Sequence, residues 1–135
     1  MDTGIAAHFD GLISLARAHL ASVEVVRRDV TSRRAILELR GSWERYTIRL
    51  VEIVTPDGRE YRYYVFDGTY IVAGFDNHAD LSAIRLCYGA DWKQHRYEPI
   101  PHLHLENKTK LELTEDMTCQ QLLAWMELNL RPAPI

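Results

Sequence analysis

Two Asp-Gly steps, Asp57-Gly58 and Asp67-Gly68, with one strand's length of Tyr- and Val-rich sequence between them, constrain this chain more than any other feature. Asp and Gly accept the left-handed backbone values that tight hairpin connections require. Thr55-Pro56-Asp57-Gly58 is therefore expected to join a strand around Tyr46 to Val54 with one around Glu60 to Phe66, and Asp67-Gly68 to turn the chain into Thr69 to Phe75. Three sequential antiparallel strands are the minimum. Ala35 to Arg40 is expected to pair ahead of them, and Val23 to Arg28 is a further candidate strand.

Helical periodicity brackets this meander. Ile5, Phe9, Leu12, Ile13, Ala16 and Leu20 recur at three- and four-residue intervals and predict a first helix over Ile5 to Leu20 with one apolar face. Near the other end, Thr118-Cys119-Gln120-Gln121 has capping-box spacing and opens a final helix carrying Leu122, Leu123, Trp125, Met126 and Leu130, with Arg131-Pro132 as its stop. The Met and Trp stripe reads as packing. Between the two regions, Leu81 to Cys87 suits a short helix or a strand, and Gly89 to Pro99 an exposed connection. Leu103 to Leu113 alternates, with Leu103, Leu105, Leu111 and Leu113 on one parity and polar residues on the other, so it is expected to be a strand or hairpin with one polar face. The expected fold class is α+β, an antiparallel β-meander of about four to six strands flanked by an N-terminal and a C-terminal helix, with residues 1–135 as one domain.

Composition sets outer limits. A chain of 135 residues buries around two thirds of its unfolded surface in one core. A formal charge of -3 argues against nucleic-acid binding by bulk positive charge, while leaving a local basic surface open. Arg27, Arg28, Arg33, Arg34 and Arg40 concentrate early in the chain and read as a solvated strand pair with its turn. Cys87 and Cys119 form no CxxC pair and are expected to be reduced thiols in a cytoplasmic protein. No apolar run approaches a membrane span. Walker loop, GxGxxG and GxSxG motifs are absent from the sequence.

The chemistry-bearing groups gather in Asp76-Asn77-His78 and Pro101-His102-Leu103-His104. On an extended segment His102 and His104 project from the same face. Paired imidazoles can divide general-base and general-acid work near neutral pH, as cleavage of an RNA phosphodiester by its own 2′-hydroxyl requires, with no metal or other cofactor. In that reading Asp76 orients one histidine, Asn77 and His78 contact substrate, and Arg62 with Lys108 or Lys110 meets the phosphorane charge. Tyr61, Tyr63, Tyr64, Phe66 and Tyr70 offer base-stacking surfaces beside Arg62, although strand packing accounts for most such aromatics. The competing chemical use is a divalent metal held by the histidines and Asp76, with His78 as a fourth ligand. The bland alternative is a His-x-His strand whose imidazoles face water or bond backbone.

The order of these features resembles the TumE family of prokaryotic toxin-antitoxin toxins. The carriers are Tyr61-Arg62-Tyr63-Tyr64, Phe75-Asp76-Asn77-His78 and Pro101-His102-Leu103-His104, and the resemblance spans about Leu37 through Leu128. Family members tend to have Arg where this chain has Gly74. The resemblance implies a small toxin acting on RNA and neutralised by an antitoxin encoded beside it. Expected catalytic residues are His102, His104 and Asp76, and expected substrate contacts are Arg62, Tyr63, Asn77, His78 and Lys108. Expected partners are a cognate antitoxin or other protein, and RNA; a homodimer is open and a membrane is not expected. The alternatives are a noncatalytic interaction module or accessory subunit of a larger defence complex, and a metal-dependent small-molecule enzyme.

Overall fold

The computed structural model describes residues 3–131. Helix α1 (Thr3–His19) leads into seven antiparallel strands: β1 (Ala21–Val30), β2 (Ala35–Trp43), β3 (Tyr46–Thr55), β4 (Gly58–Asp67), β5 (Tyr70–Asp76), β6 (His102–Leu105) and β7 (Lys110–Leu113). They form one sheet in sequential order, so every neighbour in space is a neighbour in sequence. Helix α2 (Leu81–Tyr88) and a 3₁₀ helix (Gly89–His95) interrupt the meander between β5 and β6, and α3 (Cys119–Asn129) follows it. The α+β class and the flanking helices agree with the sequence reading. The strand count is seven, because Ala21–Val30 is a full strand and Leu103 to Leu113 is divided into two.

Turn chemistry places the central strands as expected. Thr55 pairs with Gly58 across Pro56-Asp57, the Thr55 hydroxyl accepts from the Asp57 amide at 3.2 Å, and Gly58 takes φ 146°. Asp67 pairs with Tyr70 across Gly68-Thr69, with Gly68 at φ 61°. At Glu106–Thr109 the outcome differs from simple alternation. Leu105 pairs with Lys110 and His104 with Leu111, so the four-residue loop exchanges parity between its strands. Leu111 and Leu113 thereby lie on the histidine face, opposite to the face of Leu103 and Leu105 despite their shared parity in sequence.

One face of the sheet is covered by α1 and α3. Phe9, Ile13, Ala16 and Leu20 from α1, with Leu122, Leu123 and Met126 from α3, pack on Leu37, Leu39, Ile48, Leu50, Tyr61, Tyr63, Val65, Phe75 and Leu103. Trp125 meets Phe75 edge to face at 5.2 Å, so the Met and Trp stripe is core packing. Each fully buried large apolar side chain contributes roughly 1.5–3 kcal/mol. On the opposite face, Ala83 and Ile84 of α2 pack with Ile100, Leu111 and Trp92 at the β7 end. Arg27, Arg28, Arg33, Arg34 and Arg40 are solvent-exposed, as expected, while most other residues of β2 are buried.

The final helix starts with the capping box its sequence announces: Thr118 Oγ1 accepts from the Gln121 amide at 3.2 Å and Gln121 Oε1 from the Thr118 amide at 2.9 Å. Thr118→Ala should cost about 1 kcal/mol, read as a melting temperature lowered by about 3 °C. An unchanged melt would mean that packing alone defines the start of α3. The helix closes with the Leu130 amide donating to Met126 O; Pro132, expected as its stop, lies outside the described residues. No helix among the described residues is long and apolar enough to cross a membrane.

Candidate functional site

Register lines up the polar groups of the outer sheet face in two rows. Arg49, Tyr64, Gly74, His104 and Leu111 are successive cross-strand partners, and in the next row Val51, Arg62, Asp76, His102 and Leu113 are. Directly opposed residues share a face, so the histidines of β6 continue the line of cations and aromatics on β3 and β4. Helix α2 walls the far side, enclosing a cavity of about 560 Å³ lined in part by Asp76, His78, Asp80, Ser82, His102, His104 and Lys108. A second depression of about 390 Å³ shares Asp76, His78 and Lys108 with it and extends over Arg49, Arg62, Tyr64 and Phe66.

Gly74 makes this continuity possible. A Cβ at this position would stand 2.3 Å from Tyr64 Cε1, so the tyrosine ring lies across the glycine towards the histidine strand. Tyr64 Oη reaches Asp76 at 3.5 Å, its ring stacks with Phe66 at 5.9 Å, and the Lys108 ammonium stands 5.4 Å from its centroid. Burial, then the Asp76 charge, pushes the Tyr64 phenol up to about 12. Gly74→Ala should cost about 2 kcal/mol by overpacking. In a Tyr64→Ala background the same change should be neutral or stabilising, because alanine then meets open space. Equal costs in both backgrounds, by urea denaturation, would show that the ring is not held on the glycine.

His102 is 1% exposed, and its Nδ1 lies 2.6 Å from the Ile100 carbonyl. A carbonyl only accepts, so Nδ1 donates to it and Nε2 points away from it. The His104 ring stands edge-on to it, centroids 4.8 Å apart. The Nε2 atoms of both rings are 4.0 Å from the same oxygen, Oδ2 of Asp80. Burial, then the neighbouring His102 and Lys108, holds the His104 imidazole below its ordinary range. Asp80 is also the N-cap of α2: its Oδ1 accepts from the Ala83 amide at 2.9 Å, leaving Oδ2 to the histidines.

The other expected site residues divide. Lys108 sits in the β6–β7 loop, where Glu106, Asn107 and Lys108 all take left-handed φ values of 50°, 56° and 67°. Asn107 anchors that loop on β5, its amide donating to Ile71 O and its side chain accepting from Ile71 N. A strained loop pinned in this way holds Lys108 at the cavity. Arg62 lies in the adjoining depression, with Glu60 3.5 Å from its guanidinium. His78 lines both spaces, its ring 3.1 Å from Glu60. Asp76 also lines both, but its Oδ1 accepts from the His78 amide at 2.6 Å; no contact shows it orienting either histidine, and Asp80 is the carboxylate beside them.

Two expected substrate contacts have structural positions. Tyr63 is fully buried on the inner face, where its hydroxyl donates to Glu52 and accepts from Arg59, so it offers no stacking surface. Tyr61 is buried on the same side; strand parity separates both from Tyr64. Asn77 accepts from Tyr61 N and donates to Arg59 O, both at 2.9 Å, which continues the β4–β5 pairing one step beyond the strand. Its amide is committed to holding the chain where it leaves the sheet towards Asp80.

Asp80 is the site residue that the motif reading passed over. The available signal was an Asp immediately before the Leu81, Ile84 helical repeat, a normal N-cap pattern. Chemically, the cavity offers two imidazoles, the carboxylates of Asp76 and Asp80, and a lysine, beside a strip of arginines and aromatic rings. Comparison of the chain with family models, with curated proteins and with solved structures finds no match.

Proposed function

We propose that this chain is a TumE-like toxin of a prokaryotic toxin-antitoxin or defence system, and that it cleaves single-stranded RNA in the cavity between β5, β6 and α2. The observation that carries the reading is the unbroken line from Arg49, Tyr64 and Arg62 on the open sheet face to Lys108, His104 and His102. A row of cations suits the backbone of a flexible polyanion; Tyr64, 7% exposed, floors that row and Phe66 beside it is half-buried. The overall charge of -3 confines that attraction to this strip.

In the proposed reaction the RNA 2′-hydroxyl loses its proton and attacks the adjacent phosphorus. The bond from phosphorus to the 5′-oxygen breaks and that oxygen takes up a proton, giving a 2′,3′-cyclic phosphate and a 5′-hydroxyl without consuming water. Lys108 and Arg62 meet the charge that grows on the phosphorane oxygens. A division of acid and base between two imidazoles needs them on opposite sides of phosphorus. With both Nε2 atoms facing one carboxylate oxygen, His102 and His104 instead act together on one side.

A second reading, a noncatalytic interaction module, is favoured by β1. This edge strand is almost wholly exposed and carries Val25, Val26 and Val30, a template onto which a partner protein can add a strand. Inducible expression of the wild-type chain, with growth and total RNA followed together, separates the readings. Growth arrest with RNA fragments ending in cyclic phosphate is expected. Normal growth and intact RNA at verified expression would overturn the nuclease reading and leave the module.

A further inference from the structure

Three ligand-type atoms at the cavity have no hydrogen-bond partner among the described residues. His102 Nε2, His104 Nε2 and Asp80 Oδ2 lie within 4.8 Å of one another, yet the separations of 4.0 Å from each imidazole to the carboxylate are too long for hydrogen bonds. One buried imidazole, one partly buried imidazole and a carboxylate converge on one point without hydrogen-bonding each other there. We infer that Asp80, His102 and His104 form a mononuclear binding site for a first-row divalent transition-metal ion of the zinc or manganese type.

Three features support a built site. The Ile100 carbonyl fixes the His102 tautomer with Nε2 as the free lone pair, the outer hydrogen bond that metal-ligating histidines ordinarily make. The α2 N-cap occupies one Asp80 oxygen and turns the other inward, which orients a monodentate carboxylate. Edge-to-face packing of the rings sets the two ligand directions apart instead of parallel. Metal–ligand bonds of about 2.1 Å in tetrahedral geometry separate ligand atoms by about 3.4 Å, so binding needs each 4.0 Å gap to close by about half an ångström and the imidazole–imidazole gap, within 4.8 Å, by up to about 1.4 Å. Side-chain torsions of His104 and Asp80 supply that movement. Two nitrogens and one oxygen select a borderline ion over magnesium or calcium, which prefer all-oxygen shells.

Three protein ligands leave coordination positions open towards the cavity, where an oxygen of the substrate phosphate can sit; this role rests on the RNA reading above, whereas the ion site does not. Such an ion acts as a Lewis acid on that oxygen, and both histidines then serve one centre.

Isothermal titration of the full chain with zinc chloride, and separately with manganese chloride, tests the site without RNA. One ion per chain is expected, at micromolar affinity or tighter for zinc. Asp80→Asn, which keeps an oxygen acceptor for the helix cap, and His104→Gln should each weaken binding at least tenfold while circular dichroism and melting temperature stay near wild type. His78→Ala, outside the triad, should bind as wild type. Absence of binding by the folded wild type, or undiminished binding by both triad variants, would overturn the inference. Either result leaves RNA cleavage to be judged by its own assay, and intact RNA in that assay leaves the ion site standing.

Discussion

A His102→Asn/His104→Ala chain should fold like the wild type and lose about a thousandfold of its RNA cleavage. The substitutions follow from the different surroundings of the two rings. His102 is 1% exposed and donates through Nδ1 to Ile100 O, so removing it outright would leave a buried carbonyl without its partner. Asparagine presents an amide N–H near the Nδ1 position and keeps that bond while deleting Nε2. His104 is 12% exposed, and its side chain makes no hydrogen bond among the described residues that a truncation would orphan. The loss of about a thousandfold, or about 4 kcal/mol of transition-state stabilisation, is what removal of positioned imidazole chemistry ordinarily costs, whether the rings move protons or hold a Lewis acid. Initial rates on single-stranded RNA, with melting temperature as the folding control, give the measurement. A folded double variant within tenfold of wild type would remove both histidines from the reaction.

How much of this was legible in the sequence depends on the range of the interaction. The hairpins at Pro56-Asp57 and Gly68-Thr69 follow from local turn chemistry, and the cap of α3 from a four-residue pattern, so both could be read directly. The parity exchange at Glu106–Thr109 could not, because the alternation of leucines runs through the loop and only the pairing of Leu105 with Lys110 shows where one strand ends. Tyr63 and Tyr64 illustrate the same limit at one-residue scale: adjacent tyrosines are indistinguishable in composition, yet one is buried under the helices and the other lies over Gly74. His102 and His104 were legible as a same-face pair. Their carboxylate was read as Asp76, which belongs to the more conspicuous motif, whereas Asp80 stands 4.0 Å from both rings. Asp80 reaches them through the start of α2, an element whose helical character the sequence left open.

The largest stability effect should come from a residue on the opposite face, Arg59→Met, at about 3 kcal/mol and a melting temperature lower by about 10 °C. Arg59 joins four groups: Nε donates to Glu52 Oε1 at 3.2 Å, one terminal nitrogen to Asp116 Oδ2 at 2.9 Å, and the other to Tyr63 Oη at 3.0 Å and to the Met117 carbonyl. Burial works against its charge, but the hydrogen bond to Tyr63 and the nearby Glu52 outweigh this and hold the guanidinium well above its ordinary range. Glu52 is only 3% exposed; without Arg59 it would keep the Tyr63 hydroxyl and His8, 2.8 Å away, but lose the cation that offsets its burial. Methionine preserves the apolar stem over the Tyr61 ring, where the guanidinium now stacks at 4.6 Å, so the cost is that of the guanidinium's charge and hydrogen bonds. Adding Glu52→Gln should recover more than half of the loss, because the orphaned carboxylate is then gone; purely additive costs in urea denaturation would show that the two charges do not depend on each other. The same strand segment bears on the site, since Asn77 hangs from Arg59 O and Tyr61 N and directs the chain to Asp80. Arg59→Met should therefore loosen the Asp80 cap and weaken zinc binding at a temperature where the fold persists, coupling the inner ion network to the outer face through one asparagine.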